Sequence, residues 1–214
     1  MQRLKEEFLD LLEKTIPLDG LTVLEIGAGD GSRSLEIARR CKTLYAIEPD
    51  EEGVKTARAR NIPNATFEIG SGESLLFATA FFDVVVFTLS FHHIPQEKMV
   101  TAINEAVRVV RTSGHVVFLE PTESGSFFDA EIRFDACDGD ERKEKKTAYE
   151  AMLSHEKLDP VCEINDETVF QFQSLEDFID SMSPEKSQEE IKSFLESNDY
   201  ILKAGRRINI FQPA

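Results

Sequence analysis

Residues 21–40 read LTVLEIGAGDGSRSLEIARR, with glycines at 27, 29 and 31 directly after an apolar run and directly before a helical one. Glycine admits positive φ and lets another group reach contact distance of the main chain, where any Cβ would intrude. A helix beginning near Gly31 adds outward N–H groups. The spacing is G-x-G-x-G, and Ser32 stands where a dinucleotide fingerprint has its third glycine. About 20 residues on, Glu48 closes an apolar segment, where a carboxylate can accept both hydrogens of a ribose cis-diol. The pair calls for an adenosine-like ligand without a pyrophosphate. A nicotinamide-dependent oxidoreductase is disfavoured for the same reason.

Further along, FFDVVVFTLSFHHI places Thr88, Leu89 and Ser90 at the end of an apolar strand, with His92 and His93 behind them. An imidazole there can take a proton from a hydroxyl, phenol or carbon acid. The bland alternative is a histidine that hydrogen-bonds the loop capping the next helix. Glu120 ends another apolar strand and could bind a cationic or hydroxyl group, or serve only as a structural acceptor. Phe127, Phe128, Arg133, Phe134 and Arg142 could shelter an apolar body with an acidic tail, or be local core. His115 opens a buried strand and reads as structural. His155, on a charged helix, reads as exposed.

These residues must be positioned by elements, and the pattern supplies them. MQRLKEEFLDLLEK predicts an opening amphipathic helix. LTVLEI, TLYAIEPD, ATFEI, FFDVVVFTL and GHVVFLE predict five strands, four of them buried apolar runs, alternating with helices over about 31–40, 50–61 and 96–111. Such alternation implies right-handed crossovers and a doubly wound, mostly parallel α/β sheet with helices on both faces. Beyond Pro121 the rhythm changes. Residues 122–140 read as an irregular lid, 141–157 as a charged helix, ETVFQFQS as a strand, 174–181 and 185–197 as short helices, and 199–211 as holding the last strand. That makes a seven-stranded sheet.

The segments VLEIGAGDGSRS, YAIEPDEEG, GSGESLLF, FFDVVVFTLSFHHI and AVRVVRTSGHVVFLEP resemble, in order and spacing, the successive motifs of class I S-adenosylmethionine-dependent methyltransferases. The likeness covers about residues 20–121 and extends to the small-molecule branch that includes the ubiquinone and menaquinone methyltransferases. It implies a Rossmann-like methyltransferase fold, S-adenosyl-L-methionine as cofactor and S-adenosyl-L-homocysteine as product. It also implies a single domain over 1–214, with a cofactor-binding core at 20–121 and a substrate cover within 122–198. By this resemblance Gly27, Ala28 and Gly29 abut the methionine part, Glu25 orients the loop from beneath, and Glu48 holds the ribose hydroxyls. Ser71 falls where relatives commonly carry an aspartate that receives the adenine amino group. Ser71 and the Gly72 N–H, with Glu73 beside them, would meet the adenine edge, and Pro49 and Leu75 would pack on the ring. Thr88 and Leu89 would line the methyl donor's end. His92 and His93 are the candidate bases, and Glu120, Phe128 and Arg133 the candidate acceptor contacts.

Composition narrows the partners. The 214 residues carry a net charge of −16, with 22 acids against 8 bases between 121 and 200, so the chain would repel a phosphate backbone. The expectation is a small-molecule substrate and no nucleic acid. Cys41, Cys137 and Cys162 are far apart and without metal-ligand spacing, which points away from zinc or a disulfide framework and toward the cytoplasm. No metal is expected. No apolar run reaches the ~18 residues of a membrane span, so membrane insertion is not expected either. A catalytically silent binding module on the same fold is the competing reading.

Overall fold

The computed structural model describes all 214 residues. Its strands are β1 Gln2–Lys5, β2 Thr22–Ile26, β3 Thr43–Glu48, β4 Ala65–Ile69, β5 Phe82–Thr88, β6 Val110–Pro121, β7 Leu158–Gln171 and β8 Ile201–Pro213. The helices are α1 Phe8–Leu12, α2 Ser32–Ala38, α3 Glu51–Ala59, α4 Gln96–Val109, α5 Ser126–Phe134, α6 Arg142–Ser154, α7 Leu175–Met182 and α8 Gln188–Ser197. A single 3₁₀ turn covers Phe91–His93. The strands form one sheet in the order β1-β7-β8-β6-β5-β2-β3-β4. Strands β2 to β6 pair in parallel, and β8, β7 and β1 extend that sheet antiparallel.

Alternation along the strands assigns the two faces. Val23, Leu44, Val84, Val86 and Val117 pack under α1, α2 and α3 in one apolar cluster of 22 buried residues. Leu24, Ile47, Val85, Phe87 and Phe118 pack under α4 and α6 in a second of 20. Phe87 and Phe118 stack at 4.9 Å across neighbouring strands. Both faces of the central strands are covered, which is why they read as unbroken apolar runs. A third cluster, with Phe134, Phe178 and Leu195, joins α5, α7 and α8 to the antiparallel pair β7 and β8.

The sheet has eight strands, not seven, because the expected opening helix starts only at Phe8. Residues 2–5 instead pair with β7, Gln2 opposite Gln171 and Arg3 opposite Phe170, around a bulge. The open backbone edge of β7 outweighs the helical pattern of so short a segment, and charged side chains suit an edge strand. Residues 122–140 are not wholly irregular either. Phe127, Ala130 and Phe134 recur on one helical face, and the latter two are fully buried. His155 is half-buried at the C-cap of α6 rather than exposed. No helix is long and apolar enough to cross a membrane.

Candidate active site

The glycine turn joins β2 to α2 at the carboxyl ends of the parallel strands, where β3 lies on one side and β5 on the other. This is the switch point at which open α/β sheets bind ligands. Two of its glycines are bare for different reasons. Gly27 (φ 83) is crossed by β5's continuation, and a Cβ there would lie 2.2 Å from Ser90 Cβ. At Gly29 (φ 54) a Cβ would meet no atom within 4 Å. Only Gly29 leaves open space at the turn; Gly27 makes room for Ser90.

Glu48, at the end of β3, holds this turn. Its carboxylate accepts from Gly29 N–H at 2.9 Å and from Asp50 N–H at 3.0 Å. Each oxygen keeps a further lone pair for a ligand. Beneath the turn Glu25 is fully buried. It accepts from Ser34 Oγ at 2.5 Å, and Thr88 Oγ1 lies 2.9 Å from Glu25 and 3.1 Å from Gly27 O. Burial raises the Glu25 pKa despite these bonds. Thr88, buried like Glu25, therefore braces the turn from below with its side chain. Ala28 is likewise turned into the core, its N–H and that of Gly27 both donating to Ile47 O.

A cavity of about 350 Å³ opens above the turn, bounded by Gly27, Glu48, Pro49, Ser71, Gly72 and Glu73 on one side. Ile26, Ser90, His93, Ile94 and Pro95 close the other. Its size lies in the range of small-ligand sites. Leu75 is buried outside it, and Ile94 and Pro95 supply the apolar wall expected of Leu75. Glu73 is held below the ordinary carboxylate range: burial opposes ionisation, but its own backbone N–H and Lys98, at 3.2 Å, outweigh it.

A second cavity, about 250 Å³, lies beside the first, and His93 lines both. Leu89, Pro121, Phe127, Phe128 and Phe170 give it apolar walls. Leu89 sits at the junction with φ 54, a left-handed conformation that costs a branched residue on the order of 1–3 kcal/mol and is concentrated at functional sites. Leu89 lines the second cavity and not the first. Phe128 also lines the second cavity, with Lys145 Nζ 5.6 Å from its ring centre. Arg133 does not reach it. That guanidinium lies over Phe134 and Phe194 on the exposed side of α5.

Of the two readings open for Glu120, a ligand contact or a structural acceptor, its hydrogen bonds take the second. It caps the 3₁₀ turn, accepting from the N–H groups of Ser90 (3.2 Å), Phe91 (2.9 Å) and His92 (3.3 Å), and it holds His92 Nδ1. The other ring nitrogen, Nε2, lies 3.6 Å from Glu141 Oε2. Burial lowers the His92 pKa, but Glu120 and Glu141 together more than reverse this, so it is raised overall. His92 is thus a ring held between two carboxylates. His93 is exposed, with Nδ1 3.4 Å from Glu141 Oε1.

Glu141 and Lys145 were not singled out in the sequence; they stand one helical turn apart, with Lys145 Nζ 3.5 Å from Glu141 Oε2 and 3.7 Å from Glu131. Donor atoms of His92, His93 and Glu141 lie within 4.8 Å of one another, so a metal ion could be held there. The Lys145 ammonium already balances that carboxylate. Arg3, Arg33 and Arg206 also line the second cavity. Only Arg33, directly behind the glycine turn, had a local signal. The Cys41 thiol, pushed up to about 11 by burial, is unreactive at neutral pH.

Residues 23–114 match the methyltransferase domain family. An uncharacterized methyltransferase of Anoxybacillus flavithermus is 28% identical over 110 residues, 51% of either chain, and the methyltransferase YrrT of Bacillus subtilis is 28% identical over 112 residues, 51% of this chain and 52% of that one. The match thus spans about half the length of these curated relatives. Among solved structures, YcgJ of B. subtilis superposes with a TM-score of 0.62 at 18% identity, covering 96% of each chain. A SAM-dependent methyltransferase of Aquifex aeolicus gives 0.54 at 11%, covering 93% of this chain and 88% of that one. These superpositions establish the Rossmann-like fold, and the narrower likeness to the ubiquinone and menaquinone branch is not repeated in them. The glycine turn and the Glu48 clasp lie on one sheet end within the matched segment, so residues 23–114, under half of the chain, are similar to the methyltransferase domain family.

Proposed function

We propose that this chain transfers a methyl group from S-adenosylmethionine in the larger cavity to a small molecule in the smaller one, by in-line displacement. The observation that carries the reading is the shared wall: His93 lines both cavities, so a donor held by one and an acceptor held by the other meet beside it. The residues fit the cofactor. Glu48 retains lone pairs for a diol, Gly29 leaves the turn open, and Ile94 and Pro95 offer an apolar surface to a flat base. When bound, the cofactor supplies a methyl group on a sulfonium, which is an activated leaving group.

The protein's part is then alignment and exclusion of water. Proximity and orientation contribute on the order of 7–11 kcal/mol to such a reaction. Glu25 and Thr88 fix the turn from below, and Leu89 and Ser90 fix the approach between the cavities. Glu120 pins the segment Ser90 to His92, so the position of His93 follows from that cap. If the acceptor keeps its proton until late in the displacement, His93 receives it, with Glu141 stabilising the imidazolium. His92, whose two nitrogens face carboxylates, is a positioning residue in this scheme.

Two measurements test the reading. Calorimetry with S-adenosylhomocysteine should show binding. Incubation with methyl-labelled donor and a metabolite pool should label a small molecule. Binding without labelling would favour the silent module, and no binding would remove the reading altogether.

A further inference from the structure

Three arginines from distant parts of the chain converge on one end of the smaller cavity: Arg3 on β1, Arg33 on α2 and Arg206 on β8. One oxygen, Glu6 Oε2, serves all three, at 3.3 Å from Arg3, 3.9 Å from Arg33 and 2.9 Å from Arg206. Asp166 pairs with Arg206 as well. Three guanidiniums thus share two carboxylates. Arg33 is the least well served. Glu6 is the only carboxylate within ion-pair distance of it, its Nε is buried without a hydrogen-bond partner, and its side chain is only 14% exposed. Glu25 stands nearby but is turned to Ser34 and Thr88.

A buried cation without adequate pairing is costly, and a site keeps one where something else completes it. The strain is visible in Arg33 itself, whose pKa is pushed down to about 10, first by burial and then by the charges of Arg3 and Arg206. The walls beside this cluster are apolar. Phe127 and Phe170 lie 4.9 Å apart, with Arg3 over the Phe170 ring at 5.7 Å. Glu131, Asp138 and Glu141 also line the cavity and pair with Lys145 and the two histidines rather than with the arginines. The cavity therefore holds two separate charged groups, and the histidine group includes His93, which the larger cavity shares.

We propose that the methyl acceptor carries an anionic group, a carboxylate or phosphate, that docks on Arg33 with Arg3 and Arg206 behind it, and an apolar body that lies along Phe127, Phe128 and Phe170. This rests on the smaller cavity being the acceptor site. The amino-acid tail of the cofactor is the other source of a carboxylate. Arg33 lines the acceptor cavity and not the one bounded by Glu48, which favours the acceptor. Planar guanidinium groups suit bidentate capture of either anion.

The test uses the chain saturated with S-adenosylhomocysteine and calorimetric titration of 3-phenylpropanoate, hexanoate and phenyl phosphate, with 3-phenylpropanamide and hexanamide as neutral partners. The acids should bind at least tenfold tighter than their amides, Arg33→Gln should abolish the preference, and Arg33→Lys should restore part of it. S-adenosylhomocysteine affinity should change less than threefold in both variants. Unliganded Arg33→Met should melt higher than the wild type, since it relieves repulsion. Equal binding of acid and amide, or a preference that survives Arg33→Gln, overturns the proposal. So does a tenfold loss of S-adenosylhomocysteine affinity that 5′-methylthioadenosine, lacking the tail, does not share, because that assigns Arg33 to the cofactor. A lower melting temperature for Arg33→Met makes Glu6 its real partner and overturns it too. Failure of the wild type to bind S-adenosylhomocysteine at all is the separate failure of the donor-site reading, and takes the proposal with it.

Discussion

Substituting Glu48 by Gln probes the donor site at its most exposed assumption. The two oxygens of Glu48 face Gly29 N–H at 2.9 Å and Asp50 N–H at 3.0 Å, and both face the larger cavity's rim. In Gln one oxygen becomes an NH₂. Whichever way the amide turns, a donor then confronts a backbone donor. The free protein loses about 1 kcal/mol from this mismatch at a partly solvated site, a fall of ~2–4 °C in a chain of this size. The bound state loses more. A diol gives two bonds to a carboxylate, each charge-assisted bond is worth about 1.5–3 kcal/mol, and Gln can keep only one, as a neutral bond. The net loss is about 3 kcal/mol, or roughly 100-fold in affinity. Calorimetry of S-adenosylhomocysteine binding to wild type and Glu48→Gln, with melting curves on both, reads each part. A variant that binds within threefold of the wild type while melting normally would show that Glu48 serves only to fold the turn.

Gly27→Ala and Gly29→Ala should separate turn geometry from ligand space: the first meets Ser90 at 2.2 Å as well as a positive φ and should lose about 2–4 kcal/mol of stability, while the second, with open space, should lose about 1–2 kcal/mol and express its effect chiefly as weaker S-adenosylhomocysteine binding. Comparable melting temperatures for the two would contradict this. Because the folded His92 pKa is raised, its contribution to stability is fully present below the unfolded value near 6.5 and is lost as pH rises through the folded value. The melting-temperature gap between wild type and His92→Gln should therefore be widest in acid and shrink toward alkaline pH, and a gap that widens instead would reverse the assignment. Dialysis against EDTA should leave methyl transfer unchanged, since Lys145 already balances Glu141; a rate lost to EDTA and restored by Zn²⁺ would make His92, His93 and Glu141 a metal centre.

The central half of the molecule was legible because its signals are local. A strand buried on both faces must be apolar throughout, and a tight strand-to-helix turn must be glycine-rich, so LTVLEIGAGDG and FFDVVVFTL announce β2, β5 and the turn between β2 and α2 without reference to anything distant. Glu48 can be placed beside the turn from the sequence because one crossover fixes its distance, whereas its bonds to Gly29 and Asp50 N–H come only from the structure. The roles of Glu120, Thr88 and Ala28 were not legible. A buried carboxylate at a strand end can face a ligand or cap a turn, and only the position of Phe91–His93, packed above the end of β6, decides that Glu120 does the latter. Arg133 and Phe128 sit five residues apart on one helix, and which of them faces the cavity depends on the packing of α5 against Phe178 and Leu195.

By itself, then, the sequence determined the parallel sheet, the open turn and the presence of an acid one strand over, because each is imposed by backbone sterics and burial within about 30 residues. The tertiary structure alone decided the second cavity. Its arginines come from positions 3, 33 and 206 and its acids from 131 to 141, and no local pattern records that an edge strand at one end of the chain and an antiparallel strand pair at the other line the same space. Charge complementarity between distant segments leaves no periodicity to read, since a charged residue bound for a buried cluster and one bound for solvent look alike until the chain is folded.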